Sequence, residues 1–217
     1  MALTYLEPLS PGWAAVDRPP EAYLPMQEVT RQIAFEEGGW HPERMAKVTE
    51  LFDGLAAEWH SRGGAERLAP TRDALERGGA PAGGRALEVG SGTGIQTEVL
   101  RSRFDAVLSV DLSSKMLARA PRRAGVLLLR ADASRLPLKE ASVEAVVCVN
   151  AYLFPAECAR VLVPGGRVVF VSTSGASTPI YLPPEDVVAA LAAVAEVAEA
   201  TTSCCGSGSW TVVALGR

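Results

Sequence analysis

The stretch 86–94, Ala-Leu-Glu-Val-Gly-Ser-Gly-Thr-Gly, constrains this chain more than any other part of it. Residues 85–89 are a brief, mostly apolar run that ends at glycine, the pattern of a short buried strand. Gly90, Gly92 and Gly94 permit a tight turn in which backbone approaches a ligand closely. A helix is expected over 95–103, with Ile95, Val99 and Leu100 on its buried side. Strand, glycine turn and helix predict a nucleotide-binding opening, with the ligand at the carboxyl end of the strand.

The glycine spacing narrows the ligand. It reads G-x-G-x-G, whereas the dinucleotide fingerprint is G-x-G-x-x-G and aims a helix N-terminus at a pyrophosphate. Glu88 stands just before the glycines. An anion there disfavours a pyrophosphate and favours a ligand carrying an ammonium or sulfonium.

Downstream, apolar runs and amphipathic stretches alternate. Strands are expected at 106–110, 126–130, 143–149 and 167–173, and helices at 113–120, 156–162 and 184–194. Residues 196–216 read as two strands turning at Gly206-Ser207-Gly208. The predicted fold is α/β: a doubly wound, seven-stranded, mostly parallel sheet with an antiparallel C-terminal hairpin, plus an N-terminal helical arm.

The arm is residues 1–41, with a short helix near 26–36. It is broken by Pro8, Pro11, Pro19, Pro20 and Pro25 and by Gly38-Gly39. Tyr5, Trp13, Tyr23, Phe35 and Trp40 make it too aromatic for a solvated tail. A lid over the active site is the favoured role; the back of the domain and a contact in a homodimer are the alternatives. The domain proper, 42–217, opens with an amphipathic helix over 42–60, where Met45, Val48, Phe52, Leu55 and Trp59 recur at three- and four-residue spacing. A second helix is expected over 71–77, stopped by Gly78-Gly79.

Composition excludes several classes of function. With 217 residues and a net charge of -4, the chain has no global attraction for nucleic acid. Its four cysteines contain no C-x-x-C pair, so free thiols in a reducing cytoplasm are expected and no metal site. No leader pattern and no apolar run of membrane-spanning length is present, so a soluble, cytoplasmic protein is expected.

Four segments resemble, in order, the motifs of the class I S-adenosylmethionine-dependent methyltransferases, in particular the small-molecule "type 11" group. Glu88-x-Gly90-x-Gly92-x-Gly94 resembles motif I, and Val110-Asp111-Leu112-Ser113-Ser114-x-Met116-Leu117 the segment after it. Ala131-Asp132-Ala133-x-x-Leu136-Pro137 is similar to the adenine-recognition segment, and 160–167 to the turn into the fifth strand of that fold. The resemblance implies S-adenosylmethionine as cofactor, S-adenosylhomocysteine as product, and methyl transfer to an O, N or C atom of a small molecule by in-line displacement. It implies cofactor contacts from Glu88, Gly90, Ser91, Gly92, Gly94, Asp111, Leu112, Met116, Asp132, Ala133 and Asn150. Asp111, some twenty residues past the glycines, suits the ribose hydroxyls, and Asp132 the adenine amine.

No catalytic residue is assigned. His41 is a weak candidate for a general base, beside Tyr152 and Tyr181 as candidate pocket residues. The segment after Asn150 lacks the Pro-Pro-aromatic signature of the DNA- and protein-amide-modifying branches, and it is short. A non-catalytic cofactor-binding accessory subunit is the runner-up; an RNA methyltransferase and an NAD-dependent oxidoreductase are remoter alternatives.

Overall fold

The computed structural model describes residues 2–9, 21–61 and 64–216; Trp13 and three of the arm's prolines lie outside them. One eight-stranded sheet carries the chain: β1 (Thr4–Tyr5), β2 (Arg85–Val89), β3 (Ala106–Asp111), β4 (Val126–Arg130), β5 (Val143–Val149), β6 (Leu162–Ser172), β7 (Val197–Cys205) and β8 (Gly208–Leu215). Their spatial order is β1-β7-β8-β6-β5-β2-β3-β4. Every pairing is parallel except the two made by β8, which runs against β6 and β7. The expected parallel sheet and closing hairpin are both present.

The eighth strand is the departure. Thr4 and Tyr5 pair with Thr201 and Thr202 on the outer edge of β7, and Leu6 N donates to Thr202 O at 2.9 Å. Two residues are too few to show a period, so edge pairing of this kind leaves no pattern to read. It covers an otherwise open sheet edge.

Alternation along the strands sorts side chains onto two faces. Leu87, Val146, Cys148, Val168 and Phe170 pack in one core, under α6 (Pro155–Val161) and α7 (Pro184–Ala192). Ala86, Ala145, Val147, Val169 and Val171 pack in the other, under α3 (Ala69–Arg77) and α4 (Thr97–Arg101). Trp210 is buried in that second core, and its Nε1 donates to Asp73 of α3 at 2.6 Å. Burying an indole with its N–H bonded to a carboxylate satisfies both halves of that side chain.

The remaining helices are α1 (Leu24–Phe35), α2 (Pro42–Leu55) and α5 (Ser114–Leu117). Several sequence expectations change in detail, and the helix expected over 113–120 spans only Ser114–Leu117. The helix after the glycines is shorter than 95–103, because turns occupy 92–96. The helix at 42–60 stops at Leu55 and resumes as a single 3-10 turn, Trp59–Ser61. Pro164-Gly165-Gly166 does not divide helix from strand: β6 begins at Leu162, and 163–166 bulge out between the pairs Val143–Leu162 and Ala145–Arg167.

Candidate active site

The carboxyl ends of β2, β3 and β5 open into one cavity, about 110 Å³ in volume, that communicates with solvent. Of the eleven residues expected to touch a cofactor, ten line it: Glu88, Gly90, Ser91, Gly92, Asp111, Leu112, Met116, Asp132, Ala133 and Asn150. Gly94 does not. It has φ of +75°, and a Cβ there would meet Thr97, Ala120 and Pro121, so its place is inside the turn. Ile95, expected in the core, lines the cavity instead, because the turn precedes the helix.

Gly90 and Gly92 hold φ of +66° and +55°. A Cβ on Gly90 would lie 2.8 Å from Ala151 Cβ, and one on Gly92 3.3 Å from Trp59 Nε1. Glycine is therefore required by backbone conformation and by space.

The three acids sit differently. Glu88 is 2% exposed, and its Oε2 accepts from Ser109 Oγ at 2.5 Å and Thr97 Oγ1 at 2.7 Å. Burial pushes its carboxyl up to about 7, and the two hydroxyls only partly offset this. Asp111 accepts from Gly92 N and Ser113 N, both at 2.8 Å, and burial also raises its carboxyl. Helix capping falls to the neighbour: Ser113 Oγ accepts from Met116 N at 3.0 Å. Asp132 accepts from Ser134 N at 2.9 Å and from Trp40 Nε1 at 3.1 Å and 3.2 Å. Asn150, at φ of +49°, gives its side chain to Thr173: Nδ2 donates to Oγ1 at 2.8 Å, and Oδ1 accepts from the backbone N at 2.9 Å. Its side chain thus clasps the end of β5 to the end of β6.

Trp40 of the arm and the segment that follows it supply part of the other wall. Trp40, Val48, Phe52 and Trp59 line the cavity together with Tyr152, Phe154 and Ile180. Trp40 lies 5.7 Å from the Tyr152 ring and 5.4 Å from Phe154, measured between centroids. Gln27 Nε2 donates to the carbonyls of Ala176 and Thr178, at 2.9 Å and 3.0 Å, tying α1 to the loop that carries Ile180. Tyr181 faces a separate depression with Tyr5 and Cys204. His41 is exposed and caps α2, its Nδ1 accepting from Arg44 N at 3.4 Å.

Arg67 and Gln96 also line the cavity and were not anticipated. Gln96 Nε2 donates to Arg67 O at 2.9 Å, and the Arg67 guanidinium lies 5.8 Å from the Trp59 ring centroid. Ser91 Oγ and Gln96 Oε1 are buried with no hydrogen-bond partner among the described residues. A polar residue just after a glycine turn was the available signal for Gln96; nothing local marks Arg67.

Residues 87–170 match the family described as methyltransferase domain. Over that segment the chain is similar to S-adenosylmethionine-dependent methyltransferase domains. A demethylmenaquinone methyltransferase of Tropheryma whipplei (strain Twist) is 34% identical over 108 residues, covering 45% of each chain. A malonyl-[acyl-carrier protein] O-methyltransferase of Marinomonas sp. (strain MWYL1) is 36% identical over 106 residues, 43% of this chain and 39% of that one. The chain spans less than half the length of the curated relatives it matches. Among solved structures, a methyltransferase bound to its Trm112 activator from Haloferax volcanii superposes with a TM-score of 0.64 at 18% identity, covering 76% of this chain and 98% of that one. That likeness concerns the fold. S-adenosylmethionine fits the residues present: Gly90 and Gly92, whose missing Cβ atoms leave room at the floor, and the cavity-lining Ser91 and Gln96, whose Oγ and Oε1 are buried without partners among the described residues.

Proposed function

We propose that this chain transfers a methyl group from S-adenosylmethionine to a small-molecule acceptor in the cavity at the ends of β2 and β3. The observation that carries this reading is the unsatisfied pair, Ser91 Oγ and Gln96 Oε1, buried beside Glu88 in the same cavity as Asp111 and Asp132. Buried polar atoms without partners are rare and costly unless a ligand completes them.

In this reading Asp111 holds the ribose hydroxyls. Its two backbone bonds fix the carboxylate and leave lone pairs free, since a carboxylate offers about four acceptor sites. Asp132 and the Ala133 backbone meet the adenine edge, with Trp40 holding the Asp132 carboxylate in place. Ser91, Gln96 and Glu88 meet the ammonium end, and Arg67 balances the acids along that side. When bound, S-adenosylmethionine supplies a methyl group on a positively charged sulfur, a good leaving group. The chain contributes alignment and exclusion of water. Trp40, Phe52 and Phe154 close the cavity over the point where donor and acceptor meet.

Calorimetric titration with S-adenosylmethionine, S-adenosylhomocysteine and NAD tests this directly. Micromolar binding of the first two, no NAD binding, and loss in Asp111→Ala are expected. Absence of binding to the wild type would remove the proposal.

A further inference from the structure

The cavity divides by chemistry. Its polar side holds Glu88, Ser91, Gln96, Asp111 and Asp132; its other side is the carbon surface of Trp40, Phe52, Tyr152, Phe154 and Ile180. The two polar atoms on that second wall are already engaged. Trp40 Nε1 donates to Asp132, and Tyr152 Oη donates to Met26 Sδ at 3.3 Å.

We infer that the methyl acceptor is a flat, uncharged, nitrogen-bearing aromatic ring that lies against the wall of Trp40, Tyr152, Phe154 and Ile180. The inference rests on the methyl transfer proposed above and names the acceptor class for that site.

Charge and shape both support it. Three carboxyl groups line the cavity. Of the cations near the cavity, Arg67 stands at the glycine-loop side, where Gln96 binds its carbonyl and Trp59 lies under its guanidinium. Arg44, whose charge reaches Tyr152, is held by Gly39 O and Gln32 Oε1. An anionic acceptor on the aromatic wall would lose its hydration next to carbon and face like charge. A flat ring gains edge and face contacts with rings already spaced 5.4 Å and 5.7 Å apart.

Nitrogen follows from the protonation of the wall. Burial pushes the Tyr152 phenol up to about 12, so it keeps its proton near neutral pH. His41 faces solvent as the cap of α2. Among the described residues, the aromatic wall offers no base, so the attacking atom must carry its lone pair unaided. An uncharged heteroaromatic nitrogen does. Its lone pair forms the N–CH3 bond as the C–S bond breaks, and the positive charge passes from sulfur to the ring. A ring N–H, where present, then loses its proton to solvent. Aromatic faces stabilise the cation that develops.

The experiment begins with the protein saturated with S-adenosylhomocysteine, followed by titration with isoquinoline, 2-naphthoate and malonyl-pantetheine. Isoquinoline is expected to bind at least tenfold more tightly than either carboxylate. With S-adenosylmethionine present, N-methylisoquinolinium should accumulate by mass spectrometry. Phe154→Leu and Ile180→Ala should each weaken isoquinoline about fivefold to tenfold, leaving S-adenosylhomocysteine affinity within twofold. Equal binding of all three probes, or preferred binding or methylation of malonyl-pantetheine, overturns the acceptor class while methyl transfer stands. Failure to bind S-adenosylhomocysteine overturns both.

Discussion

The two sides of the cavity are built from different parts of the chain. On the polar side the partners are nearer in sequence: Glu88 with Thr97 and Ser109, Asp111 with Gly92 and Ser113, Asp132 with Ser134, Gln96 with Arg67. On the aromatic side they are far apart: Trp40 with Asp132, Met26 with Tyr152, Gln27 with Ala176. The polar side is built at strand ends; the aromatic side is complete only once Trp40 of the arm has docked. In the proposed reading the first takes the cofactor and the second the acceptor, and Trp40 on Asp132 is the contact that joins them.

Breaking the polar side at its floor should have the largest effect. Gly90→Ala puts a Cβ 2.8 Å from Ala151 on a backbone at φ of +66°. A loss of about 100-fold or more in S-adenosylmethionine affinity is expected, read by calorimetry. Asp111→Ala should weaken the same ligand about tenfold to 100-fold, as loss of charge-assisted bonds predicts. It should also lower the urea midpoint, because Gly92 N and Ser113 N lose their acceptor.

Glu88 makes the polar side sensitive to pH. Its folded carboxyl, at about 7, lies above the unfolded value, so the folded state holds a proton that the unfolded chain has released. Stability contributed by the protonated form is full below the unfolded value and falls as pH rises through about 7. Urea melts should show stability dropping between pH 5 and pH 8. Glu88→Gln should flatten most of that slope, and Asp111, also raised, should leave a residue of the same sign. A cation beside Glu88 favours its ionised form, so S-adenosylmethionine binding near pH 7 should release a proton. Titration in two buffers of different ionisation enthalpy reads this, and no release would place the ligand's charge elsewhere.

The aromatic side responds more gently. Trp40→Phe keeps the ring and removes the bond to Asp132. A loss of about two- to tenfold in cofactor affinity is expected, consistent with roughly 0.5–1.5 kcal/mol for one hydrogen bond. An unchanged affinity would mean that the arm and the adenine edge are independent. Smallest of all, His41→Gln should leave kcat within twofold, since His41 caps α2 and does not line the cavity. A collapse of kcat there would return it to the role of base.

Much of this architecture was legible in residue order. Strands at 126–130 and 143–149 were placed to the residue, because a short, mostly apolar run suits a strand of a parallel sheet. Glu88, Asp111 and Asp132 were found from their places at strand ends, where chain reversal brings parallel carboxyl termini to one edge. Helix lengths were overestimated after the glycines and after Leu55, since apolar spacing continues through residues that serve the cavity wall instead of a helix core.

By itself, then, the sequence determined the sheet, its hairpin and the acids at its carboxyl edge, all consequences of local periodicity and glycine stereochemistry. Only tertiary structure decided that Thr4 and Tyr5 extend the sheet, that Asn150 spends its side chain on Thr173, and that Arg67 and Gln96 face the cavity. It also decided that Trp40 stands on Asp132 rather than in solvent. Those contacts join residues distant along the chain, and their energies depend on which surfaces meet, a quantity that no local pattern carries.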